Sequence, residues 1–296
     1  MWAPSIWEFL TLACKLLIYS STAGAIGGIF SARLLAHHRD THGSILRYIR
    51  WSCVAGLAGS IAFFFFQVGA IADIGLKGMF DAELTGILLQ TSNGTAAFTR
   101  SAGFSLIGLA AELFPTSKSY QLTANNCLTL GGIVILLYSF AATGHLAGAD
   151  ALVQLTLVLH VLTVSLWIGS LYPLLRFSQT GDLSSIQRAM HTFGKVATWI
   201  VLTLLLCGLL LAWLLLKEVN ALVTTDYGRG LGVKIVFVVA LLLVAARNKL
   251  RLTPAISQPD VGAKLSLAIR IEILIAFFIL LTTAIITVVI GTEAIL

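Results

Sequence analysis

The chain has 296 residues, of which 58% are hydrophobic and only 11% charged, with a net charge of +6 and a mean hydropathy of +0.95. Soluble domains carry roughly 25% charged residues, so there is too little polar surface here to cover a water-soluble globule, whatever length alone allows. The 19 Lys and Arg are dispersed between apolar runs and form no basic arm, which excludes nucleic acid as the natural partner.

The N-terminus lacks the basic region of a signal peptide, and Lys15 interrupts the first apolar run, so the first helix is read as retained. Crossing the hydrocarbon takes about 20 apolar residues in a helix. Eight segments qualify: 9–35, 49–72, 96–114, 127–145, 150–175, 193–216, 231–247 and 267–290. The third and seventh are the weakest. The runs lack the alternation of membrane barrel strands, so the fold class is all-α, a single polytopic bundle over 1–296. Arg33, Arg39, Arg47 and Arg50 fall in the first connection, Lys118 in the third, Arg176 and Arg188 in the fifth, and Arg247, Lys249, Arg251 and Lys264 in the seventh. By the positive-inside rule these connections face the cytoplasm and both termini face outward.

Glu8, Asp73, Asp81, Glu83, Asp150, Glu218, Asp226 and Glu293 collect on the outward side. They read either as a mouth that attracts cations or as acids left where bases are excluded. The long outer connection, 73–95, suits a short amphipathic helix over the bundle. Gly24 and Gly28 have the spacing of closely approaching helices. Cys14, Cys53, Cys127 and Cys207 each lie in an apolar run without C-x-x-C, and read as small buried hydrophobes. Pro254 and Pro259 mark a cytoplasmic loop.

Polar groups inside a membrane cost about 2.5–3.5 kcal/mol each on insertion scales, so each needs a reason. They are Lys15, Arg100, His145, His160, Lys234 and Glu272, with Glu112 nearer the inner surface. His145 ends the fourth segment, and His160 lies about 16 Å into the fifth at 1.5 Å per residue. Imidazole binds copper, zinc and iron and shuttles protons. The two histidines differ in depth by roughly 10 Å, which suits successive stations better than one bridged ion. His191 is a weaker third station. His37, His38 and His42 form a loop cluster, and Met79 is a soft ligand candidate for Cu(I). Lys15, Arg100 and Lys234 are expected to pair with Asp73, Asp81 or Glu83, or to snorkel; Glu272 is expected to pair with Arg270. No nucleophile elbow, P-loop, H-E-x-x-H or dinucleotide fingerprint appears. If the chain is a transporter, it needs a gradient or handover from a partner.

Several of these residues fall in an order that resembles the CopD/PcoD copper-resistance membrane proteins. One region is Gly144-His145 followed by His160, Trp167, Gly169, Leu171 and Pro173. A second, the C-terminal module at about 190–290, has Phe193 opening a helix that ends at Gly208, then Thr225-Asp226-Tyr227-Gly228-Arg229 leading to Lys234. Arg247-Asn248-Lys249-Leu250 and Arg270-Ile271-Glu272 complete it. Lys15 and Thr91-x-x-Gly94 running to Arg100 are weaker echoes. The resemblance implies an eight-helix protein of the bacterial inner membrane that moves copper, as Cu(I) or Cu(II), with uptake from a periplasmic carrier of the CopC type as the usual direction and export as the other. It implies a metal role for His145 and His160, a packing or neighbouring role for Trp167, and family positions at Lys234 and Glu272. A transporter is favoured over an enzyme. Two other readings stay open: a b-type haem carrier acting as a cupric reductase, and a non-transporting subunit that docks a copper chaperone.

Overall fold

Ser5 precedes the first apolar run and Glu8 follows three residues later, which is the pattern of a capping box. In the computed structural model the Ser5 backbone N–H donates to Glu8 Oε2 (2.7 Å) and the Glu8 N–H donates to Ser5 Oγ (3.2 Å). Helix α1 (Ile6–Leu34) begins there. The structure describes residues 5–36, 38–113, 119–143, 148–216, 220–258 and 260–290.

All regular structure among these residues is helical. After α1 come α2 (Arg39–Ala72), a 3-10 turn (Leu76–Phe80), α3 (Ala82–Leu89), α4 (Ser92–Leu113) and α5 (Ser119–Ala141). Then follow α6 (Ala151–Thr180), α7 (Leu183–Leu216), the short α8 (Ala221–Thr224), α9 (Asp226–Arg247), a π-helical turn (Asn248–Leu252), α10 (Val261–Ile285) and a second π-helical turn (Ile286–Ile290). Each of the eight expected segments overlaps one of the long helices. By length and composition, six described stretches can cross a membrane: 6–34, 41–72, 151–180, 183–214, 226–252 and 261–290. α4 is not among them, and α5 supplies only a shorter apolar stretch, Asn125–Ala141. Trp51, Phe98, Trp199 and Trp213 are all more than two-thirds exposed. Such an outer surface suits hydrocarbon, not water.

The helices outlast their apolar cores, which corrects several loop assignments. α2 starts at Arg39, so His42, Arg47 and Arg50 stand on a helix. His38 occupies its N-cap position, with its ring 4.7 Å from that of Phe177. The histidine cluster is therefore not one loop, and His37 lies outside the described residues. Arg188 and His191 are on α7, which also runs through Gly208 to Leu216 instead of ending there. The outer connection does hold a helix, α3: Asp81 caps it by accepting from the Leu84 N–H (2.9 Å), and Leu88 packs against Phe64 and Val68.

Glycines set the closest approaches. A Cβ at Gly24 would stand 2.3 Å from Ser52 Oγ, and one at Gly28 would stand 2.6 Å from an Ile49 side-chain carbon, so this pair seats α1 against α2. Tighter still is the crossing of α1 and α6: a Cβ at Gly169 would meet the Ala23 carbonyl oxygen at 1.7 Å, and one at Gly27 the Gly169 carbonyl carbon at 2.4 Å. Pro173, inside α6, lacks the N–H that would otherwise bond the Gly169 carbonyl. The main core joins Phe104, Leu136, Trp167, Leu171, Phe177, Leu241 and Leu265 from five long helices. Cys14, Cys53 and Cys207 are buried, whereas Cys127 is exposed, contrary to its expected burial.

Candidate functional site

α6 is held from both sides. At 3.6 residues per turn, nine residues place His160 and Gly169 about half a turn apart on the helix. Gly169 faces α1, and His160 faces α7, where a Cβ at Gly208 would lie 3.5 Å from the imidazole Cε1 and 3.7 Å from Nδ1. The missing side chain at Gly208 is what leaves room for the ring. The Leu204 backbone lies within hydrogen-bonding reach of the ring, and the Lys234 ammonium of α9 is its charged neighbour. His160 Nδ1 is buried and has no hydrogen-bond partner. Buried polar atoms are nearly always bonded, so this nitrogen, with the Leu204 backbone beside the ring, stands out among the buried polar atoms of the described residues.

His145 lies outside the described residues. α5 ends at Ala141, earlier than its expected end at the histidine. Trp167 is a core residue, only 3% exposed and two turns along α6 from His160, about 10 Å away along the axis. Met79 is half-buried in the 3-10 turn. His191 is exposed and lines a groove of about 650 Å³ at the other end of α7, with Arg188, Lys195 and Lys249. Among the described residues no three His, Cys, Asp or Glu side chains come together in a metal-holding group.

Glu272 does not pair with Arg270, which is exposed. Its buried carboxylate accepts from Asn248 Nδ2 at 2.6 Å. Asn248 opens the π-helical turn, where the Thr253 N–H reaches back five residues to its carbonyl (2.9 Å). A helix continuing without that turn presents a different side chain to α10. Asn248 Oδ1 remains buried without a partner.

The Thr225-to-Arg229 motif is a helix start. Thr225 Oγ1 accepts from the Gly228 N–H (3.0 Å), Asp226 pairs with Arg229 (3.2 Å), and Gly228 lets α9 pass the Ala221 carbonyl. Glu8, Asp81 and Asp226 thus all stand at helix N-termini, where the macrodipole favours negative charge. That accounts for three of the acids expected to face outward without a cation-attracting mouth. Between α6 and α7, Asp182 accepts from the Ser184 hydroxyl (2.7 Å) and the Ser185 N–H (3.1 Å). These bonds hold its carboxyl well below the usual range.

Lys15, Arg100 and Lys234 form no ion pair with Asp73, Asp81 or Glu83. The ion pairs among the described residues are Arg50–Glu112 (2.8 Å) and Arg229–Asp226. Lys15 and Arg100 instead stand among rings. Lys15 Nζ is 5.0 Å from the Phe63 centroid and 6.0 Å from that of Tyr19, and Arg100 Cζ is 5.5 Å from that of Phe140. The sequence contained one signal of this, the four-residue spacing of Lys15 and Tyr19 on a helix. Nothing in it marked Asn248 or Gly208 as partners of Glu272 and His160, because both pairings are long-range.

Two family models match the chain. One described as copper resistance protein D-like, N-terminal domain, covers residues 6–155, and one described as copper resistance protein D covers residues 187–286. Residues 156–186, which carry His160, Trp167, Gly169 and Pro173, lie between them. No curated protein and no solved structure gives a significant match.

Proposed function

The chain belongs to the copper resistance protein D family, and from that premise we propose that it moves copper across the inner membrane of a bacterium, by uptake from a periplasmic carrier of the CopC type. In this reading the eight long helices all cross the membrane, with both termini outward. Copper is cargo, handed from His145 to His160 as successive stations. The family match carries the reading. What supports a role for His160 in particular is its buried, unpartnered Nδ1 against Gly208. Neutral imidazole nitrogen is a suitable donor for either copper oxidation state. Lys234, Glu272 and Trp167 support the path from its walls, while Met79 and His191 are candidates for its two ends.

The test is metal analysis with a visible spectrum of detergent-purified protein, alongside copper uptake in proteoliposomes, for the wild type and for His145→Ala/His160→Ala. The expected result is copper bound and moved by the wild type and lost in the double variant, with helicity unchanged. Equal copper in both would remove the assigned site. A Soret band that needs either histidine would make the protein a haem-containing reductase. Bound copper without transport would favour a chaperone-docking subunit.

A further inference from the structure

Five elements bring two cations into one ring-walled site. Lys15 and Tyr19 come from α1, Phe63 from α2, Arg100 from α4, Phe140 from α5 with Thr143 just beyond it, and Thr287 from the last π-helical turn. Tyr19 stacks on Phe140 (centroids 6.0 Å apart) and shares a hydrogen bond with Thr287 (3.2 Å). Arg100 is only 3% exposed. Its NH2 group makes a long bond to Thr143 Oγ1 (3.5 Å), and its Nε is buried without an acceptor. The charged group that acts on Lys15 is Arg100 itself.

Among the described residues the charges do not balance. Arginine stays protonated in proteins and carries five donors; among the described residues Thr143 is the one acceptor it finds. Burying an unpaired charge is costly, and ring faces offset only part of that cost. The C-terminal end of α5, near Thr143, adds about half a negative charge, against two positive charges that repel each other. No carboxylate among the described residues supplies the rest. One oxyanion between the two cations would: its oxygens match the guanidinium fork, and the lysine serves as a point charge. Rings and cations offer nothing to a metal ion, so this is no copper station.

We propose that Lys15 and Arg100 form a binding site for an oxyanion, a phosphate or carboxylate group taken up from the outward end of the bundle. This does not rest on the copper reading, and either can fail alone.

The test uses the full chain in nanodiscs of phosphatidylcholine, with thermal unfolding and calorimetry against sodium phosphate and sodium acetate, and sodium chloride at equal ionic strength as control. Wild type is expected to show saturable stabilisation by one of the oxyanions beyond chloride, weakened about tenfold or more in Arg100→Gln and in Lys15→Met. Without oxyanion both variants are expected to be as stable as wild type, since each removes one of two repelling charges. A second set of discs containing phosphatidylglycerol distinguishes the source: an effect seen only there assigns the site to a lipid phosphate. Three results would overturn the proposal: no saturable effect in either disc type, equal effects of chloride and oxyanion, or undiminished binding in Lys15→Met.

Discussion

Gly169→Ala adds a single methyl group at the closest approach among the described glycines. That Cβ would lie 1.7 Å from the Ala23 carbonyl oxygen, half the 3.4 Å at which ordinary contact begins, with the Ala23 carbonyl carbon at 2.5 Å and Gly27 Cα at 3.0 Å. All three obstacles are backbone, so no rotamer change relieves them, and α1 and α6 must separate. Overpacking of this kind costs about 1–3 kcal/mol, and rigid opposing backbone puts this site at the upper end. The gain in helix propensity, up to about 1 kcal/mol, is removed by comparison with Gly131→Ala, where the new methyl meets nothing within 4 Å. Unfolding in mixed micelles, followed by tryptophan fluorescence and circular dichroism, should place Gly169→Ala about 2–3 kcal/mol below Gly131→Ala. Gly27→Ala should be similar. The double variant should fall well short of the sum, because one separation accommodates both methyls. Equal stability of Gly169→Ala and Gly131→Ala would refute the backbone contact.

Asn248→Ala leaves a buried Glu272 oxygen without its donor, and should cost about 1–3 kcal/mol of unfolding free energy. Adding Glu272→Leu should recover most of it, since removing both partners of a buried pair is far cheaper than removing one; a double variant no better than Asn248→Ala would rule out the pair. Asp182 has a pKa depressed by its serine bonds, so its contribution is fully present above its unfolded value, about 3.9, and is lost as pH falls below that toward the folded value. Asp182→Asn should therefore flatten the fall in stability on acidification from about pH 5 downward; an unchanged slope would show that these bonds do not persist in solution.

Composition and run length made the helical class legible, because both report the solvent directly. Glycine spacing marked the α1 face that meets α2, since that signal is local to one helix. What failed to read through was pairing across the fold. Glu272 sits two residues from Arg270, and the nearness in sequence suggested a bond that the helix geometry does not make: on a helix, residues two apart point to different sides. Its real partner, Asn248, is 24 residues away and is brought in by a π-helical turn with no sequence signature of its own. Likewise, the need of Lys15 and Arg100 for compensation was legible, but two of the three rings that surround them come from further elements, α2 and α5. Helix ends were misjudged because polar turns continue α2 and α7 beyond the apolar stretch that membrane thickness picks out.

α6 ties these observations together. The matched family regions stop at residue 155 and resume at 187, and α6 spans nearly all of the gap. One of its faces is locked backbone to backbone on α1 at Gly169. The opposite face presents His160 to α7 and α9, where contacts are looser and the imidazole rests in the space that Gly208 leaves. On the proposed path, a helix packed backbone to backbone on one side keeps His160 in place while its neighbours on the other side adjust. The position is also electrostatically guarded: Lys234 stands on the same side, and no described carboxylate pairs with it. A bare cation at His160 therefore meets repulsion from Lys234, whereas copper delivered with an anionic ligand meets attraction. The same preference for negative charge governs the Lys15–Arg100 site. On the proposed copper path, this charge pattern favours copper arriving as a complex over copper arriving as a free ion.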